Sequence, residues 1–368
     1  MVLERINLAK KQIIYVAALF MLGPTFLIPP AQEIGSYGWI ALTISYMGFL
    51  LLFSLYRALL NLAPDKSLFE ILQLAFGRWL GLAFSLFYLF YFVFLLTLIV
   101  ANFADFIDSV VLIHTPELVI TIFLVATAAY AVRKGFESIA RISDIILYTS
   151  VSIAFLVFLF LIDKISLDVF RPVWPSSWSP IFKSSLSVFA FPFGETVVFL
   201  SIFNQLGKPQ KTMPSLLWGS LIAFISLQLV TVRNVATLGE FVKYSSYPSY
   251  DVARLVDIGN VITRAEILIS INFLGMGYIK ATTMYYSFCS GVAELFKLKS
   301  YKHLVLPVGV LVSLSSLLSF KTTIQNLYFI AEIYPYFVFV PQVIIIALAY
   351  IVLRVRGKEV GLWPMWGF

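Results

Sequence analysis

The sequence predicts an all-α integral membrane protein of ten transmembrane helices, built as a 5+5 inverted repeat with helices 1 and 6 broken. Three observations carry that expectation. Of the 368 residues, 60% are hydrophobic and only 12% charged, where a soluble domain ordinarily carries about 25% charged residues. Ten apolar runs follow one another with no polar stretch long enough for a separate soluble domain, so 1–368 reads as a single membrane domain. Two of those runs, the first and the sixth, carry proline and glycine near their middles.

Taken in order, span 1 (12–31) is interrupted by Gly23-Pro24 and ended by Pro29-Pro30. Arg5, Lys10 and Lys11 precede it, and because further spans follow, it reads as a retained helix rather than a signal peptide. Span 2 covers 37–62, and 67–78 reads as a short amphipathic helix on the cytoplasmic surface. Span 3 (80–107) is dense in aromatics; spans 4 and 5 cover 116–132 and 143–162. A Trp/Pro/Ser-rich link at 171–180 suits a membrane–water interface and leads into span 6, within 183–205. Span 7 covers 213–236, and 247–260 reads as a short surface helix. Span 8 (263–296) is long, roughly 50 Å at 1.5 Å per residue, so it tilts or protrudes. Spans 9 and 10 cover 303–319 and 328–353.

Charge sets the orientation. Of 26 Lys and Arg, 17 fall on the side of both termini and 8 on the other, with Lys280 inside span 8. The excess of basic residues in cytoplasmic loops then places the N- and C-termini in the cytoplasm. The +7 net charge follows from those loops and implies no nucleic acid. Cys289 stands alone, which excludes an intrachain disulfide, and two histidines, His114 and His303, lie at span ends. No metal-ligand cluster, phosphate loop or nucleophile–base set is present, so neither cofactor nor catalysis is expected.

The halves, 12–162 and 183–353, match with a nearly constant offset of about 170 to 187 residues between corresponding spans. Five spans is an odd number, so the halves run in opposite senses. Paired broken helices in such halves point to a binding site at the membrane midplane. In span 6 the run FAFPFGETVVF (189–199) puts Pro192, Gly194 and the ionisable Glu195 at mid-depth. Proline lacks the backbone N–H and clashes with the preceding turn, so the helix breaks there. Broken backbone at that depth survives only where protein or a wet cavity satisfies it, and a carboxylate there marks a functional site. The expected pocket sets Gly23, Pro24 and Thr25 against Phe191, Pro192, Phe193, Gly194 and Glu195, with Tyr91 and Tyr278 as walls. Half-helix N-termini suit a ligand carboxylate.

Lys280 lies about 26 Å into span 8, beyond snorkelling reach of either end, so its amine points into the bundle. It reads either as a structural partner for a buried carboxylate or as a fixed charge beside the pocket. Gly275 and Gly277 read as allowing close approach, and Phe90 with the other span 3 aromatics as packing. Asp105 and Asp108 read as solvated and Glu332 as interfacial.

At FAFPFGE (189–195), the proline-rich end of span 1 and YPSYDVARLVDIGNVITRAE (247–266), the chain resembles the GerAB-like B-subunit family of spore-germination nutrient receptors. Thr263 and Arg264 match that entry to span 8, while Ala265 stands where a bulkier apolar residue is expected. The family belongs to the amino acid–polyamine–organocation (APC) transporter superfamily, and the resemblance, which covers essentially the whole chain, implies a LeuT/APC-like fold. It also implies a nutrient-sensing subunit of the inner spore membrane, working with an A-type membrane subunit and a C-type lipoprotein. In sodium-coupled relatives a cation sits between span 8 and broken span 1, and by that resemblance Lys280 takes the cation's place. Three functions stand open: a receptor subunit binding a small nutrient such as an amino acid, a proton-coupled amino-acid transporter, and a structural subunit with a vestigial pocket.

Overall fold

A computed structural model of the protein describes residues 6–113, 115–206, 209–256, 264–320 and 322–359. Arg5, His114, Lys208, Lys321 and the segment 257–263 with Thr263 lie outside the described residues. The described chain is helical throughout, with no strand among those residues. Its helices are α1 (Lys10–Leu22), α2 (Gly38–Leu62), α3 (Leu68–Phe106), α4 (Glu117–Lys134) and α5 (Phe136–Phe160). There follow α6 (Ser179–Val188), α7 (Pro209–Leu238), α8 (Pro248–Arg254), α9 (Glu266–Leu295) and α10 (Lys302–Ser319). The last stretch divides into α11 (Thr323–Tyr328), α12 (Tyr334–Phe339) and α13 (Ile345–Glu359).

Among the described residues, eight helical stretches are long and apolar enough to cross a membrane. The expected spans 1 and 4 fall short of that measure for identifiable reasons. Helix α1 stops after 13 residues, at the break. Helix α4 carries Glu117, Arg133 and Lys134 within its 18 residues.

Burial divides the helices into two kinds. From Val16 to Leu22, α1 is buried on every side, as a helix apolar all round must be. It packs against α7, α5 and α9, with α9 in turn against α3 and α5. Helices α4, α5 and α10 instead leave large apolar side chains outside, among them Phe123, Tyr148 and Leu318, as a lipid-facing ring requires. The broken elements therefore sit at the centre of the bundle.

Three expectations are corrected and one is kept: the helix expected at 67–78 is set off from the rest of α3 by a turn at Gly77 (φ 79°), a left-handed conformation that favours glycine. A Cβ on Gly81 would lie 2.6 Å from Gln73 Cα, so the Gly77/Gly81 pair serves this bend. Helix α5 begins at Phe136, earlier than 143. Helix α8 is not a plain surface helix: Pro248, Ser249, Val252 and Ala253 are buried, and Ser249 Oγ donates to Phe26 O at 2.7 Å. Finally, span 10 is not one regular helix. Widened turns at Phe329–Ile333 and Val340–Ile344 interrupt it, beside Pro335 and Pro341.

Candidate functional site

The first break is closed locally. Pro24 has no N–H to continue α1, so the carbonyls of its last turn lose their partners. Gly23 N–H still reaches Leu19 O at 2.9 Å. The Thr25 hydroxyl serves Met21 O and Leu22 O at 2.8 and 2.7 Å, one donor shared between two carbonyls. Thr25 thus caps helix 1, and only its oxygen lone pairs remain for anything else.

The second break borrows its partner from a distant segment. After α6, Phe191 adopts an extended conformation (φ −139°, ψ 108°) inside the widened stretch Phe189–Phe193, and a tight 3₁₀ run follows over Gly194–Ser201. Gln342 Nε2 donates to the freed carbonyl of Ala190 at 2.9 Å and to the Tyr91 hydroxyl at 2.8 Å. Its approach needs a glycine, since a Cβ on Gly194 would lie 2.0 Å from Gln342 Oε1. Thr196 Oγ1 donates to Phe193 O at 2.7 Å, as Thr25 does in helix 1.

Between the breaks lies an ion pair. Lys280, halfway along α9, places Nζ against Glu195 Oε2, and both side chains are buried. Tyr334 OH donates to the other carboxylate oxygen. The ammonium also lies 4.2 Å from the centre of the Phe191 ring and 5.3 Å from that of Phe20, within cation–π range. The stem of Lys280 runs against Gly23, whose added Cβ would sit 3.0 Å from Lys280 Cδ. Helix 1, helix 6 and α9 therefore meet on this one side chain.

The pair has spare capacity. An ammonium carries three N–H donors and a carboxylate about four acceptor sites. Among the described residues, neither Nζ nor Oε2 has a hydrogen-bond partner beyond the ion-pair contact. Both atoms therefore keep unused hydrogen-bonding positions. No group of three or more metal-ligating side chains is found among the described residues.

The family model described as spore germination protein matches residues 7–324. The chain belongs to the spore germination protein family. Among curated relatives of that family, spore germination protein KB of Bacillus subtilis (strain 168) is 24% identical over 313 residues, covering 84% of each chain. Spore germination protein B2 of the same organism is 21% identical over 273 residues, covering 73% of this chain and 74% of its own. The fold matches MhsT, solved in complex with L-phenylalanine, with TM-score 0.65 at 14% identity over 99% of this chain and 91% of that one. Mhp1, a nucleobase-cation-symport-1 family transporter in a closed conformation with bromovinylhydantoin bound, gives TM-score 0.60 at 15% identity over 98% and 95%. This spore germination protein is thus a multi-pass, all-helical membrane protein with a LeuT-like fold, in a family of non-enzymatic membrane subunits.

Most of the residues expected at the site come together. Gly23 meets the Lys280 stem from helix 1, Phe191 and Glu195 meet its ammonium from helix 6, and Gly194 and Tyr91 are joined through Gln342; Pro24 and Pro192 mark the two breaks. Phe193 packs behind, 5.5 Å from Tyr46 and 5.6 Å from Phe49 between ring centres. Tyr278 stands apart. Its hydroxyl donates to Thr127 O in α4, and it lines an apolar cavity of about 260 Å³ with Phe103, Leu124 and Ile146. Phe90 is exposed and stacks on Phe94, outside the bundle interior. Asp105 is not merely solvated; it accepts from Tyr247 OH at 3.0 Å. Gly277 allows the close approach expected of it, with the Phe103 ring filling the space of a Cβ.

Tyr334, Gln342 and Phe20 escape the sequence reading. The signal for the first two is a polar residue next to a proline deep in an apolar run, at Tyr334-Pro335 and Pro341-Gln342, the same sign that marks span 6.

Proposed function

We propose that this protein is the B-type membrane subunit of a germinant receptor, and that it senses a small nutrient of the amino-acid class at the Lys280–Glu195 pair. The observation that carries the reading is the pair itself, buried where the two broken helices meet. A zwitterionic amino acid offers a carboxylate to Lys280 and an ammonium to Glu195. It would replace one internal ion pair by two, leaving no buried charge unmatched. Because Lys280 touches Gly23 and Glu195 sits in helix 6, such an exchange would act on both breaks at once. Gly23, Pro24, Thr25, Tyr91 and 191–195 form the proposed surroundings, and a resident ammonium makes the response independent of sodium.

In this reading the chain crosses the membrane ten times as two inverted halves, with α1 and the turn Pro24–Phe26 completing the first span and α4 the fourth. Both termini are cytoplasmic, on the side holding 17 of the 26 basic residues. The protein resides in the inner spore membrane and signals through an A-type membrane subunit and a C-type lipoprotein. A proton-coupled amino-acid transporter is the second reading, favoured by the fold shared with MhsT and Mhp1. A paired experiment separates them: nutrient binding to purified protein, and uptake into proteoliposomes under an imposed pH gradient. The receptor reading expects binding without concentrative uptake. Rapid gradient-driven accumulation would replace it by the transporter.

A further inference from the structure

Two cationic side chains among the described residues are buried, Lys280 and Arg233, and only the first has a carboxylate. Arg233, 3% exposed, lies five residues before the end of α7. Its Nε and Nη2 both donate to Asn234 Oδ1, at 3.1 and 2.7 Å. A guanidinium has five N–H donors, so three remain. Among the described residues, the acids bonded at α8 and its entry are engaged elsewhere: Asp251 accepts from Ser245 Oγ at 2.5 Å and Asp105 from Tyr247. The carbonyl end of α7 and the Asn234 amide supply only partial negative charge, about half an elementary charge for a helix end. Among the described residues, a net positive charge is therefore left out of water without a counter-ion, an arrangement that ordinarily costs far more than the hydrogen bonds return.

A second unmet group lies on the same face. Thr237 is one turn further along α7, and its hydroxyl is buried with no hydrogen-bond partner among the described residues. Helical side chains lean toward the N-terminus, so this hydroxyl leans back toward Arg233. The surroundings are not passive. Asn234 Nδ2 donates to Ser249 Oγ at 3.0 Å, and Ser249 Oγ to Phe26 O at 2.7 Å. A polar chain thus runs from the guanidinium through α8 to the end of the helix 1 break.

We propose that Arg233 and Thr237 hold a small monovalent anion, a carboxylate or a halide, between α7, α8 and the end of broken helix 1. The anion neutralises the guanidinium and completes the hydroxyl's hydrogen bonding. Through Asn234 and Ser249 its occupancy steadies the seat of α8 on Phe26. This site is separate from the Lys280–Glu195 pair and does not depend on what that pair binds.

The test is the melting temperature of the purified full chain in neutral detergent, titrated with sodium acetate or sodium chloride at an ionic strength held constant with a bulky organic anion. The wild type should show a saturable rise of a few degrees. A rise with acetate alone identifies a carboxylate site, and a rise with both identifies one that also accepts a halide. Arg233→Gln should abolish the saturable rise. Asn234→Asp is the second variant, because it sets a carboxylate on the N–H groups already bonded there, at the cost of the Nδ2 donation to Ser249. It supplies an internal counter-ion and should also remove the rise. No saturable rise in the wild type, or an undiminished one in Asn234→Asp, would overturn the proposal.

Discussion

Two ion pairs tie the broken sixth helix to its neighbours, and they differ in almost every physical respect. Lys183, in α6, holds both oxygens of Glu332 at 2.7 and 2.8 Å, with side chains 56% and 39% exposed. Glu195, beyond the break, holds Lys280 with both side chains essentially sealed from solvent. The outer pair makes two contacts to one carboxylate, yet it competes with water and salt for each charge. The inner pair has one contact and unused donors, yet removing either member strands the other in a medium that cannot solvate it. Geometry alone would rank them the wrong way round. Burial decides which pair the protein depends on.

The largest expected effect comes from breaking the inner pair. Glu195→Ala or Lys280→Ala alone should destabilise the protein by about 3–5 kcal/mol, while Glu195→Leu with Lys280→Met should recover most of that loss. Chemical unfolding in detergent measures all four states; a double variant no better than the singles would mean that packing, not charge, fills the site. Next comes the wall of that site. Gly194→Leu drives a side chain into Gln342, whose bonds to Ala190 O and Tyr91 must then break. A loss of about 1–3 kcal/mol is expected, together with loss of the nutrient response in a protein that still inserts. Germination assays on spores carrying this variant check it, and a normal response would show that the second break can rearrange freely. Smallest is the outer pair. Lys183→Ala should leave the melting temperature unchanged within error, and a drop comparable to that of Lys280→Ala would erase the contrast between the two pairs.

The sequence discloses these regions unequally. Both breaks are legible because proline and glycine act on their own backbone, at Gly23-Pro24 and at Pro192 with Gly194. The inward direction of Lys280 is legible because distance along a helix is fixed by its rise. Tyr334 and Gln342 reach the site from 139 and 152 residues further along the chain than the groups they contact, and no local rule announces such a pairing. The placement of Tyr278 did have a local sign. It lies two residues from Lys280, about 200° around the same helix, and so faces another side. The burial of α8 had none, since it depends on what the end of helix 1 offers to Ser249.

The proposed function requires that the nutrient's charges replace those of the Lys280–Glu195 pair. The most direct measurement is nutrient affinity in purified wild type, Glu195→Gln and Lys280→Met, with folding monitored in the same samples. Each variant keeps the size of the side chain and removes one charge that the ligand would meet. Both variants, less stable than the wild type, should in their folded fraction lose binding by at least about 100-fold, the loss of roughly 2.7 kcal/mol expected when a buried charge is left unpaired. Unchanged affinity in either folded variant would contradict the proposed function.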